Sequence, residues 1–370
     1  MTSKISKQNM TFGFVGLGLI GASIAKSLRR VYKNCTIIAY NRSESARIMA
    51  LNDKVASKVT DKIDDSFSDC DYIFLCTPVE YNCEYLKSLK DIIKKDCIIT
   101  DVGSVKTNIH EAVIRLDMEA NFIGGHPMAG SEKTGYENAT DRLVENAFYP
   151  ITPTSMTDND KLMEYKSIVE DIGAIPVIMD YREHDFAVAG ISHLPHIIAA
   201  ELVNLVKASD SDREIMKLIA AGGFKDITRI ASSSPEMWEQ ICMTNTDNIV
   251  KLLSDYIDLL ERVKSELQAK NGSYINERFT ASREYRNQFT NRIANSPLIT
   301  YILHVDIEDE IGTLSNVVTL LSNQSISIKN IRIVNNREND EGVLAIELKN
   351  EDSRLKASAL LKDGGYTVYE

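Results

Sequence analysis

Phe12-Gly13-Phe14-Val15-Gly16-Leu17-Gly18-Leu19-Ile20-Gly21 decides how the rest of the chain is read. An apolar run of strand character enters Gly16-x-Gly18-x-x-Gly21, and an amphipathic, helix-length segment follows, which is the context a dinucleotide-binding turn requires. Gly16 permits the tight turn and Gly18 lets backbone approach a pyrophosphate. Gly21 allows close helix–strand packing, and the helix N-terminus supplies N–H donors to the anion. Leu17, Leu19 and Ile20 lie in the same turn and share the expected cofactor contact.

Outward from that turn, short apolar runs at 12–15, 36–40, 72–76, 97–101, 122–123 and 148–151 alternate with helix-length amphipathic stretches. Alternation of that kind predicts a doubly wound, largely parallel sheet of the Rossmann type over residues 11–180, closed by the run 175–179. The second strand ends in Asn41-Arg42-Ser43, where an NAD-selective site usually carries an acidic residue for the ribose 2′-hydroxyl. These residues offer donors to a 2′-phosphate instead, so the expected cofactor is NAD+ or NADP+ with a lean to NADP+. Thr77 and Pro78, just past the run 72–76, complete the candidate cofactor contacts.

From residue 181 to 295 strand signals vanish and apolar positions recur at helical spacing, as in Ile249, Leu252, Leu253, Tyr256, Ile257, Leu260 and Val263. The longest helix is expected to start at Ser234-Pro235-Glu236, with serine as N-cap and proline at the first helical position, and to run towards Leu267. So long an apolar stripe predicts a core or a dimer interface. After Ser296-Pro297, read as a linker, residues 298–370 follow the order βαββαβ: strands at 298–305, 327–334, 342–348 and 366–369, helices near 313–322 and 353–361. That is a ferredoxin-like order.

Composition narrows the functions. At 370 residues the chain suggests two or three domains on a rule of about 150 residues each. The net charge of −11 gives no electrostatic case for nucleic acid. No run of about 18 apolar residues is evident, so no membrane span is expected. Residues 1–10 lack the apolar core of a signal peptide, which argues for the cytoplasm. The six cysteines form no C-x-x-C pair and read as free, mostly buried thiols.

The chemistry is carried by polar residues at expected strand ends. Gly124-Gly125-His126-Pro127-Met128-Ala129-Gly130-Ser131-Glu132 places an imidazole between glycines, and Thr100-Asp101-Val102-Gly103-Ser104-Val105-Lys106 ends what reads as the fourth strand. In a parallel sheet such ends converge on the ligand crevice. Later come Ile191-Ser192-His193-Leu194-Pro195-His196 and Gly222-Gly223-Phe224-Lys225-Asp226-Ile227-Thr228-Arg229-Ile230-Ala231. His193 and His196, three apart on a helix, have metal-ligand spacing, but no cysteine or carboxylate cluster accompanies them, and no metal is expected.

These motifs, in this order, resemble the prephenate and arogenate dehydrogenases of tyrosine biosynthesis, over nearly the whole chain. The resemblance implies oxidative decarboxylation of prephenate with a nicotinamide cofactor, arogenate being the alternative substrate. It implies that Ser104 and His126 hydrogen-bond each other and the substrate hydroxyl, a role that imidazole chemistry suits. It makes Arg229 the grip on a substrate carboxylate, His193 a second active-site histidine, Trp238 a pocket-lining aromatic, and Glu132 a gate or a partner to a base. Lys225 stands where the family often has arginine. The C-terminal segment resembles an ACT domain, with Asp309-Glu310-Ile311-Gly312 at its first strand-to-helix turn, which implies an amino-acid effector, tyrosine being expected. A homodimer through the helical domain is the expected assembly. Rival readings are another reductase of the same plan, usually reliant on a lysine, and a non-catalytic sensor of nucleotide and amino acid.

Overall fold

The computed structural model describes residues 7–130, 133–295, 301–307, 310, 312–335 and 342–369. It divides into two compact units, Met1–Leu259 and Leu260–Glu370. In the first, strands β1 (Thr11–Val15), β2 (Thr36–Tyr40), β3 (Lys58–Thr60), β4 (Tyr72–Leu75) and β5 (Ile98–Asp101) form a parallel sheet in the order β3-β2-β1-β4-β5. Strands β6 (Ile123–Gly125), β7 (Phe148–Pro153) and β8 (Ile175–Ile178) form a second sheet, antiparallel between β6 and β7 and parallel between β7 and β8. A parallel bridge from Ile99 to Phe122 links the two.

Helices α1 (Leu19–Val31), α2 (Glu44–Asn52), α3 (Val79–Lys90), α4 (Thr107–Arg115) and α5 (Asn159–Asp171) cover this scaffold. Successive residues of a strand point to opposite faces, so β1 sends Phe12 and Phe14 to one core and Val15 to the other. The first core meets Ala22 and Leu28 of α1, Ala46 of α2 and Ile168 of α5. The second meets Leu86 and Leu89 of α3 and Ile109 and Val113 of α4. Both faces are therefore buried, as a doubly wound fold demands. The expected strands are present, with one addition: β3 is short and carries Lys58 and Thr60, too polar to read as a strand. The strand ending at Asp101 is accordingly the fifth.

Beyond β8 the unit is helical: α6 (Tyr181–Val188), a π-helical turn (Ala189–His193), α7 (Leu194–Ser209), α8 (Ile215–Ile219), α9 (Gly222–Thr228) and α10 (Pro235–Thr244). Ser234 caps α10 through its hydroxyl and Pro235 occupies the first turn, as expected. The helix does not continue to Leu267. It ends at Asn245, whose backbone leaves the helical region (φ −121°, ψ 30°), and α11 (Thr246–Gln268) begins anew. The stretch Tyr181–Ser209 contains an 18-residue window of mean hydropathy 1.5, long and apolar enough to cross a membrane by length and composition alone. Those same residues include His184, Asp185 and His193, which are buried and hydrogen-bonded within the first unit.

The second unit holds α12 (Gly272–Asn295) and a four-stranded antiparallel sheet. Its strands β9 (Tyr301–Ile307), β10 (Ile328–Asn335), β11 (Gly342–Leu348) and β12 (Val368–Tyr369) alternate with α13 (Thr313–Asn323) and α14 (Glu351–Asp363). Sheet order β10-β11-β9-β12 with the chain order βαββαβ is the ferredoxin-like arrangement. Leu303, Val305, Val317, Leu321, Leu344, Ile346 and Leu361 form its core. The expected linker Ser296-Pro297 and residues Asp309 and Ile311 lie outside the described residues.

Candidate active site

The glycine turn has the geometry its spacing implies. Gly16 sits at φ +101°, a conformation that favours glycine, and a Cβ on Gly21 would fall 2.5 Å from the Gly16 carbonyl oxygen and 2.7 Å from Cys76 Cβ. A Cβ on Gly18 would meet nothing within 4 Å, so that position faces open space. Gly18 is also the N-cap of α1 and supplies no side-chain cap. The first-turn N–H groups of α1 are thus left for an anion, and the donor set fits a dinucleotide pyrophosphate.

Asn41 braces this turn, its Oδ1 accepting the Leu17 N–H at 2.9 Å. Arg42 lies over the Tyr81 ring, 5.6 Å from its centroid. The Ser43 hydroxyl caps α2 by accepting from Ala46 N and pairs with Ser45 Oγ. Thr77 packs its methyl against Gly16 and donates to Asn82 Oδ1 at 2.6 Å, while Pro78 is the N-cap of α3.

A chain of hydrogen bonds leads away from His126. Its Nδ1 is 2.8 Å from His184 Nε2, and His184 Nδ1 is 2.8 Å from Asp185 Oδ1. The Asp185 carboxylate also accepts the backbone N–H groups of Lys106 (2.8 Å) and Thr107 (2.7 Å), at the start of α4. Burial alone would raise the Asp185 pKa, but the bonds from His184, Thr107 and Lys106 hold it below the usual carboxylate range. The Lys106 ammonium is buried, paired with Asp101 and donating to the Gly125 carbonyl at 2.7 Å. One residue therefore ties both the β5–α4 turn and the strand leading to His126. Burial, reinforced by His184, Lys106 and His193, holds His126 well below the ordinary imidazole pKa, so it is neutral at physiological pH.

Asn245 connects a second histidine to this group. Its Nδ2 donates to the Asp185 carbonyl at 2.7 Å and lies 3.1 Å from His193 Nδ1. Its Oδ1 accepts from Asn248, which fixes the amide orientation and makes His193 Nδ1 an acceptor. His193 therefore carries its proton on Nε2, and burial depresses its pKa to about 4. One turn on, His196 stacks on Trp238 with centroids 3.8 Å apart, and Trp238 meets His193 edge-on at 6.0 Å. The Trp238 Nε1 is buried without a partner among the described residues. Arg229, exposed after α9, lies close enough to His196 to oppose its protonation.

His126, His193, Trp238 and Arg229 thus share the first unit with the glycine turn. Ser104 lies half-buried in the β5–α4 turn, but the hydrogen-bond partner of His126 is His184 rather than Ser104. A Ser104–His126 hydrogen bond is absent among the described residues, and His184, approaching from α6, is the partner of His126 Nδ1. Glu132 lies outside the described residues. Motif reading missed His184, Asp185 and Asn245. Their signal was present: a His-Asp pair on the short helix that opens the helical region, and an asparagine four residues before the apolar repeat of α11.

A Rossmann-type sheet with an open glycine turn and a buried neutral histidine, followed by helices that carry a second buried histidine and set the Arg229 guanidinium near His196, defines a nicotinamide-dependent dehydrogenase. The family model for the prephenate dehydrogenase nucleotide-binding domain matches residues 24–178, and that for the prephenate dehydrogenase dimerization domain matches residues 180–281. The chain belongs to the prephenate dehydrogenase family. It is 34% identical over 354 residues to the prephenate dehydrogenase of Bacillus subtilis (strain 168), covering 95% of each chain. Among solved structures it is similar to prephenate dehydrogenase from A. aeolicus in complex with hydroxyphenyl propionate and NAD+, with TM-score 0.71, 32% identity, and coverage of 76% of this chain and 98% of that one. Arogenate dehydrogenase from Synechocystis gives TM-score 0.69 and 32% identity, with coverage of 76% and 100%.

Proposed function

We propose that this protein oxidises and decarboxylates prephenate to 4-hydroxyphenylpyruvate, with NAD+ or NADP+ as hydride acceptor. The observation that carries the reading is His126, a buried neutral imidazole anchored through Nδ1, with no hydrogen bond at Nε2 among the described residues. That nitrogen is free to accept the proton of a substrate hydroxyl. The turn Gly16–Gly21 would hold the dinucleotide, which would supply the hydride acceptor for the ring carbon that bears the hydroxyl; loss of the ring carboxylate as carbon dioxide leaves the ring aromatic. The hydroxyl proton passes to His126 Nε2 and returns to the phenol product. Ser104 holds the same hydroxyl, Arg229 grips a carboxylate in bidentate fashion, and His193 offers its Nε2–H to a second anionic oxygen. Trp238 forms the wall of the ring pocket.

Arogenate is the second reading, favoured by the similarity to the Synechocystis enzyme. The donor character of Asn41, Arg42 and Ser43 supports use of NADP+ as well as NAD+. We place the protein in the cytoplasm, in keeping with its six free cysteines. It forms a homodimer through the helices of residues 180–281, where Val250, Ile257 and Leu260 leave large apolar side chains exposed. The C-terminal ferredoxin-like segment serves as an ACT-like regulatory domain that takes tyrosine as effector. Steady-state assays that cross prephenate and arogenate with NAD+ and NADP+, with and without tyrosine, test all of these. Turnover of neither substrate overturns the reading, and rates unchanged by millimolar tyrosine remove the effector.

A further inference from the structure

We propose that His184 and Asp185 are positioning residues: they hold His126 in the tautomer whose Nε2 bears no proton, and they carry the charge that appears when it accepts one. The inference rests on the reading of His126 as the base. It begins at Asp185, whose two oxygens accept from Lys106 N, Thr107 N and His184 Nδ1. A carboxylate so engaged is an acceptor only, so the proton of a neutral His184 must sit on Nδ1. His184 Nε2 is then a bare lone pair. The ring facing it at 2.8 Å, His126, must donate from Nδ1, which leaves His126 Nε2 unprotonated and basic.

The same bonds act during proton transfer. Once Nε2 takes the substrate proton, the His126 imidazolium donates more strongly through Nδ1 to His184 Nε2, and the carboxylate beyond it offsets the positive charge. Asp185 remains ionised throughout, as in other acid–base relays built on a carboxylate and imidazole. Without that carboxylate, a cation at His126 would face the buried Lys106 ammonium and the rings of His184 and His193. The relay also explains why a histidine and an aspartate are buried on α6: they reach across to the turn that carries Ser104 and fix both sides of the site at once.

The test uses the full-length protein labelled with ¹⁵N-histidine at pH 8, where an imidazole of ordinary pKa, about 6.5, is neutral. Imidazole ¹⁵N shifts, assigned against His126→Asn, report which nitrogen is protonated. Wild type is expected to show His126 protonated on Nδ1. Asp185→Leu removes the acceptor from His184 Nδ1, which leaves neither ring held in one tautomer, and is expected to lower kcat by roughly 10²–10⁴-fold with KM for prephenate nearly unchanged. Because Asp185 also caps α4, His184→Phe provides a variant that keeps the cap. It is expected to give mixed His126 tautomers and a kcat lowered about 10–100-fold. A wild-type His126 protonated on Nε2, or a tautomer that neither variant alters, overturns the proposal while leaving the dehydrogenase reading intact. An altered tautomer with unchanged kcat overturns it too, and traces the failure to the reading of His126 as the base.

Discussion

Asn245 bonds the Asp185 carbonyl and His193 Nδ1 with one amide group. Replacing it strands two buried acceptors at once. Each such loss costs about 1–3 kcal/mol, so Asn245→Ala is expected to lower the unfolding free energy by a few kcal/mol in denaturant titration. It also frees His193 to rotate, and KM for prephenate is expected to rise about tenfold. An Asn245→Ala protein with wild-type stability and KM would show that the amide holds nothing.

Gly21 separates α1 from the fourth strand of the sheet by less than a side chain. A methyl there would overlap the Gly16 carbonyl and Cys76, both rigidly placed. Gly21→Val is therefore expected to displace the glycine turn and weaken NAD+ binding at least tenfold in fluorescence titration. Gly18→Ala, whose methyl meets no protein atom within 4 Å, is expected to leave stability within about 0.5 kcal/mol while still impairing binding. Equal loss of stability in both would refute the distinction.

Acid should unfold this protein through its buried imidazoles. Burial lowers the pKa of His110 to about 3 and of His193 to about 4, and holds His126 well below the ordinary value. The unfolded chain titrates near pH 6.5, so below that pH it binds protons that the folded state refuses. Stability falls wherever the unfolded state binds more protons as pH drops. The melting temperature is expected to be level between pH 8 and 7 and to decline steadily from about pH 6.5 to 4, and a rise over that interval contradicts the assignment.

Arg229 is exposed and lies in no packed core, so its removal is expected to spare the fold. Arg229→Ala should raise KM for prephenate by about 10²-fold, the scale of a lost charge-assisted pair, with Tm shifted by less than about 2 °C. Arg229→Lys keeps the charge but not the planar fork, and is expected to recover only part of the affinity. Full recovery by lysine would mean that charge alone matters.

At Arg42 the expected effect is on cofactor choice. Its guanidinium lies over Tyr81, beside Asn41 and Ser43. Arg42→Ala is expected to raise KM for NADP+ about tenfold more than KM for NAD+. Equal changes for both cofactors would place Arg42 outside the ribose site.

Much of this architecture was legible because it rests on local rules. Glycine spacing, alternating strand and helix, and the Ser234-Pro235 start of α10 are short-range signals, and each is met in the fold. The end of α10 was not legible. Nothing in Thr244-Asn245-Thr246 forbids a helix; the break exists because Asn245 turns its amide to Asp185 and His193, about sixty and fifty residues away. The same applies to the partner of His126. Family resemblance pointed to Ser104, while the bond to His184 depends on how α6 crosses the start of α4, a tertiary fact with no periodicity to betray it. Strand β3 escaped because an edge strand of three residues leaves too little pattern.

Lys106 lets one amino acid clamp three segments: its backbone N–H holds Asp185, and its ammonium holds Asp101 and the Gly125 carbonyl. Arg229, by contrast, stands on a solvent-facing stretch where most neighbours are exposed. Laboratory evolution towards new substrates should accordingly find its fruitful changes around residues 221–234, whereas randomising the frame around Lys106 should yield mainly inactive clones.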